Sequence, residues 1–176
     1  MIRSRKKKHQ GKENGIGLIE ILITIVLLSI GFLAAARMQV EGMRFSQSAY
    51  FQSQAYFLAS DMINRMRTNR DGVEAGEYDG LITEDKMQNP GCSAKACTPG
   101  QIALQDAYDW GGYFHSRNAE KNFVAALPSS DSIKAYAKIE TIDDDVYAVV
   151  LVWSEIISGE NKEQTLKVNF ALAKTT

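Results

Sequence analysis

The sequence predicts an α+β fold in which one long N-terminal helix, apolar in its first half, packs its second half on a small antiparallel sheet. Three observations point to it. An uncharged run, ILITIVLLSIGFLAAA, extends from Ile21 to Ala36. Helix-compatible sequence then continues without proline as far as the turn signal Asn69-Arg70-Asp71-Gly72. Three β-type segments close the chain, and a total of 176 residues leaves room for about one domain.

The apolar run is 16 residues long, short of the roughly 20 that cross a bilayer. Extended back to Ile16 it reaches 21 residues and takes in Glu20. Ahead of it lie Arg3, Arg5, Lys6, Lys7, Lys8 and Lys12, whereas Arg37 alone follows closely. That asymmetry keeps the N-terminus cytoplasmic and exports the body. Three uses of the run remain open: a cleaved signal peptide ending near Ala34 to Ala36, a permanent signal anchor, or a helix exposed as the new N-terminus by cleavage ahead of it. Glu20 separates them, because a carboxylate in lipid is generally functional or paired. After cleavage at Gly15 it would be the fifth residue, near a fresh α-amino group on Ile16.

Beyond Arg37, Met43, Phe51, Ala55, Leu58, Met62 and Met66 form an apolar stripe at helical spacing. Gln39, Glu41, Arg44, Gln47, Gln52 and Gln54 supply polar surface. One helix from about 16 to about 69 would be near 80 Å long. The stripe reads as core packing, to be covered by the alternating face of a sheet carrying Val150, Val152 and Leu166. Gly31 and Gly42 read as either soft points or close-packing positions, and Ala34 to Ala36 similarly allow helices to approach.

After Arg70 glycines become frequent, and both cysteines appear in CSAKAC. In an exported body Cys92 and Cys97 form a local structural disulfide; catalytic exchange generally uses a tighter spacing. A second helical region is expected from Ile102 to Leu127, with Gly111-Gly112 as an interruption and Pro128 as its end. The strands are expected at 134–142, 146–154 and 165–173. Asp143 to Asp145 and Ser158 to Asn161 mark the turns between them, and the three aspartates lack the spacing of a calcium loop.

Composition narrows the function. With 20 basic and 21 acidic residues the net charge is -1; without residues 1–15 the body holds 14 bases against 20 acids. Two cysteines and two histidines exclude a four-thiolate zinc centre and leave little for histidine-driven catalysis. No phosphate-binding glycine loop is present, and the basic head lacks aromatics for base stacking. The expectation is a chain that is not an enzyme and needs no cofactor, metal or direct nucleic-acid partner. Its segments are a basic leader (1–15), a membrane and assembly half-helix (16–37), an exported amphipathic half-helix (38–70) and a globular α/β region (71–176).

Gly15-Ile16-Gly17-Leu18-Ile19-Glu20, followed by the apolar run, resembles the class III signal of type IV pilins and of type II secretion pseudopilins. Gly15, Leu18, Ile19 and Glu20 fit that pattern, while Ile16 and Gly17 stand where phenylalanine and threonine are usual. QSAYFQSQAYFLASDMINRMRTNR at 47–70 is similar to the helix of PilV-type minor pilins, the type IV pilus modification group. The cysteine pair, Asp106, Trp110, Leu127-Pro128 and Val152-Trp153 are further points of likeness. Gly111-Gly112 and Ser129-Ser130 depart from it.

The resemblance implies a type IV pilin-like fold and a function in assembly. Prepilin peptidase would cut between Gly15 and Ile16 and methylate the new amine. Leu18, Ile19 and Glu20 would serve subunit packing, Glu20 against a neighbour's terminal amine. The implied partners are prepilin peptidase, other minor pilins, pilus assembly proteins and inner-membrane lipid. The implied location is the inner membrane, crossed once with the C-terminal domain periplasmic, and then the pilus at or near its tip. A minor pseudopilin of type II secretion is the alternative role.

Overall fold

The computed structural model describes residues 17–83, 87–116, 123–143 and 145–172. Two compact units divide the chain, Met1–Phe45 and Ser46–Thr176. Helix α1, Leu18–Thr68, begins in the first and ends in the second.

In the first unit every described residue is exposed, and the apolar side chains from Leu18 to Leu33 have no cover within the unit. The helix is long and apolar enough to cross a membrane. Its hydroxyls are internally satisfied: Thr24 Oγ1 donates to Ile21 O at 2.8 Å and Ser29 Oγ to Ile25 O at 2.7 Å. Glu20 is therefore the acidic group of a stretch that otherwise suits hydrocarbon.

In the second unit α1 turns a stripe inward. Ala55, Leu58, Ala59, Met62, Ile63 and Met66 are buried, and Phe51 packs against the same core at its margin. Met43, expected on this stripe, lies in the first unit and is 59% exposed. The short helix α2, Arg70–Glu74, follows directly. Helix α3, Pro99–Gly111, starts with a capping box: Thr98 Oγ1 accepts from Gln101 N–H at 3.3 Å, and Gln101 Oε1 accepts from Thr98 N–H at 3.1 Å. Pro99, which has no N–H to strand, opens the first turn.

The second helical region is shorter than the expected span of Ile102 to Leu127. It ends at Gly111, with turn residues at 112–114 and no helix over 123–127. Two consecutive glycines give the backbone little reason to remain helical. Pro128 thus follows a non-helical approach instead of terminating a helix.

Strands β1 (Tyr136–Asp143), β2 (Val146–Ile157) and β3 (Glu160–Ala171) form one antiparallel sheet in the order β1-β2-β3. Ser158 and Gly159 have φ of 55° and 85°, the paired left-handed conformations of a two-residue hairpin turn. The register shifts between Thr141 and Asp143 beside the other turn. Asp144 lies outside the described residues.

The sheet face covering α1 carries Ala137, Ile139, Tyr147, Val149, Leu151, Trp153 and Leu166, with Val168 and Phe170 at its margin. Val150 and Val152, expected on that face, lie instead in a separate cluster with Ala148 and Tyr136. Successive side chains alternate faces, so Leu151, opposite Leu166, points to the core and its two neighbours point away.

Over that second face Lys138 Nζ lies 2.7 Å from Glu140 Oε1, and Lys167 Nζ 2.8 Å from Oε2. These cations, Lys138 first, hold the Glu140 carboxyl down at about 2. A carboxyl depressed by folding stabilises the domain above its unfolded value and loses that contribution as pH falls toward about 2. Lys138→Met is therefore expected to shrink the drop in urea midpoint between about pH 6 and about pH 2. An unchanged drop would mean that Lys138 does not hold this carboxylate in solution.

Candidate assembly surface

The residues marked for assembly sit at the start of α1. Leu18 and Ile19 are 80% and 68% exposed, and Glu20 lies in the first helical turn, where its N–H donates to Gly17 O at 2.9 Å. A carboxylate there is favoured by the positive end of the helix dipole. Glu20 has no ion-pair partner among the described residues. The processing positions Gly15 and Ile16 lie outside the described residues.

The second unit holds its loops on its part of α1 through buried and half-buried polar contacts. Arg65 Nε donates to Asp61 Oδ2 at 3.0 Å, one helical turn back, and its Nη1 reaches Asp106 Oδ1 on α3 at 3.2 Å. Tyr78 donates to the other Asp106 oxygen at 2.5 Å. Asn69 Nδ2, just past the end of α1, donates to Tyr78 Oη at 3.1 Å and to Pro99 O at 2.8 Å. Trp110, fully buried, donates its indole N–H to Leu58 O at 3.1 Å.

Burial raises the Asp106 carboxyl above the usual range against the opposing hydrogen bonds from Tyr78 and Arg65. Burial and the same carboxylate push the Tyr78 hydroxyl far up. For Arg65 burial works against the cation, and Asp61 followed by Asp106 more than offset it, so its pKa also rises. These are the signatures of a satisfied structural network, because each perturbed group already holds its partner.

Asp106 and Trp110, singled out by resemblance, are thus brought together against α1. Tyr78 completed the site without being singled out, whereas in the sequence Asn69 reads only as the start of a turn and Arg65 only as part of the 47–70 stretch; the Asp61–Arg65 spacing carried a local signal. Trp153 serves the sheet, donating to the buried Glu155 Oε1 at 2.6 Å.

Cys92 and Cys97 are bonded, with Cα atoms 5.6 Å apart. Cys92 N–H donates to Gln105 Oε1 at 3.1 Å, tying the small loop to α3. Cys92→Ser is expected to loosen this loop while leaving helix content unchanged by circular dichroism. A concerted loss of helix would show that the bond supports more than the loop.

Among the described residues no three acidic, histidine or cysteine side chains gather as a metal site. A groove of about 890 Å³ beside α3 is lined by Tyr108, Tyr113, Phe123, Gln105 and Arg65 among others. Ser93, Asp109 and His115 also line it. The arrangement is suited to holding and presenting surfaces.

The family model described as "Tt1218-like: Type IV pilin Tt1218" matches residues 37–108, from the outer part of α1 through the disulfide loop into α3. No curated protein and no solved structure matches the chain.

Proposed function

We propose that the chain is a type IV pilin and acts as a PilV-like minor pilin, priming pilus assembly and entering the filament at or near its tip; the type IV pilin family model that matches residues 37–108 supports this reading. Members of the superfamily are structural proteins, not catalysts. The observation that supports a role in assembly is the exposed apolar first half of α1 with Glu20 in its opening turn. Such a surface has to be covered by lipid or by other helices, and its carboxylate needs a positive partner in either setting.

In this reading the basic leader keeps residues 1–15 at the cytoplasmic face during insertion. Prepilin peptidase then cuts after Gly15, Ile16 supplies a methylated amine, and a neighbour's amine meets Glu20 as helices stack. Leu18 and Ile19 pack in the same stack. The unit from Ser46 onward stays on the periplasmic side and offers its surface to other minor pilins.

Intact mass and N-terminal analysis from a piliated host are expected to find mature protein beginning at methylated Ile16. A terminus near Met38 would mean an ordinary signal peptide and defeat this reading. Loss of pili in a deletion strain with secretion intact supports the pilin role; the reverse pattern assigns the chain to a type II secretion pseudopilus.

A further inference from the structure

Asn89 and Gln105 both line the groove beside α3, and the chain uses only one end of each carboxamide. Asn89 Oδ1 accepts from Gly91 N–H at 2.8 Å, and Gln105 Oε1 accepts from Cys92 N–H at 3.1 Å. Each amide is thereby fixed through its oxygen, while its NH2 group has no partner among the described residues. Arg65 adds a third such donor, since Asp61 and Asp106 engage its Nε and Nη1 and no described group engages Nη2. The rings of Tyr108, Tyr113 and Phe123 make up the aromatic part of the same wall.

We propose that this groove binds a neutral oligosaccharide, with Asn89, Gln105 and Arg65 donating to sugar oxygens and the aromatic rings packing on the C–H faces of the sugar rings. Charge excludes the anionic ligands. Carboxylate oxygens of Asp61, Asp106 and Asp109 lie 3.0, 3.2 and 3.9 Å from the Arg65 guanidinium, so its cation is already outweighed. A phosphate, a sulfate or a nucleic-acid strand meets no net positive field there. A wholly apolar ligand would cut the two NH2 groups off from water without replacing their hydrogen bonds.

The balance of donors and acceptors separates a sugar from a peptide. In an uncharged sugar chain the ring and glycosidic oxygens only accept, so acceptors outnumber donors. A peptide brings an N–H for nearly every carbonyl and needs acceptors in return, and the two carboxamide oxygens that could serve it are committed to Gly91 and Cys92. A sugar ring is also apolar on one face and polar around its rim, which suits aromatic rings set beside amides. The volume of about 890 Å³ accommodates several linked sugars. Binding at this groove does not depend on entry into a filament.

The test applies the full chain, in a detergent without a sugar headgroup, to an array of short glucose, galactose, mannose and N-acetylglucosamine oligosaccharides. Sialylated glycans, sulfated glycans and extended peptides are printed beside them. Retention on at least one neutral oligosaccharide is expected, with its affinity then measured by titration calorimetry. Asn89→Asp and Gln105→Glu keep the oxygens that receive the Gly91 and Cys92 N–H groups and replace only the NH2 donors. Each is expected to weaken binding of that oligosaccharide about fivefold or more at unchanged circular dichroism. Tyr113→Ala is expected to weaken it similarly, and Tyr113→Phe, which keeps the ring, to bind as wild type. The proposal is overturned by an array on which no neutral oligosaccharide is retained, by a preference for peptides or acidic glycans, or by unchanged affinity in both carboxylate variants.

Discussion

Leu58→Asp is expected to unfold the unit from Ser46 onward. Leu58 is 1% exposed in the centre of the α1 stripe, among Ala55, Met62, Leu151 and Trp153 of the core. Truncating such a leucine costs about 2–5 kcal/mol through lost transfer energy and the cavity left behind. A carboxylate in the same place adds the cost of a buried charge without a partner. The Leu58 carbonyl also receives the Trp110 indole, so any displacement of this turn strands a buried donor on α3. Domains of this kind hold about 5–15 kcal/mol in total, and the combined loss takes most or all of it. Urea unfolding of a fragment from Gln39 onward, followed by tryptophan fluorescence, should show a cooperative transition for wild type and for Leu58→Ala at a lower midpoint. Leu58→Asp should show none. An unchanged midpoint would place Leu58 outside the core.

The helix stripe was legible because α1 has one wet face and one dry face beyond Ser46, so spacing of three and four identified Ala55, Leu58, Met62 and Met66. Leu166 was legible for the equivalent reason at period two. Strand β2 was not, because its apolar residues fill both faces: a run such as VYAVVLV contains both alternations, and Val149 cannot be told from Val150 without the register. The Tyr78–Asp106 bond joins residues 28 apart, and Arg65 and Asp106 lie 41 apart. No local pattern encodes contacts made only after α3 docks on α1. The disulfide needed no such information, since two cysteines permit a single internal pairing.

Glu20→Gln should leave the protein inserted and cleaved after Gly15 yet sharply reduce its recovery with other pilins and in the pilus fraction. On the proposed reading the carboxylate has one function, to meet the positive Ile16 amine of a neighbour inside a bundle of apolar helices. A carboxylate left alone there carries its desolvation cost without compensation, and so does the amine if the carboxylate is removed. Glutamine keeps the size and the hydrogen-bonding capacity, so the comparison isolates charge, which Glu20→Ala would confound with volume. Because α1 is exposed throughout its first half, the substitution disturbs no packing within the first unit, and the second unit should melt as wild type. Leader cleavage, pull-down of co-expressed pilins and pilus abundance are to be measured together in a deletion host at matched expression. Breaking a buried pair by removing one partner costs about 3–5 kcal/mol, which corresponds to a loss of roughly a hundredfold or more in assembly affinity. Wild-type values in all three measurements would show that the charge is dispensable. A block already at cleavage would move the role of Glu20 to recognition by the peptidase and remove the ground for subunit pairing.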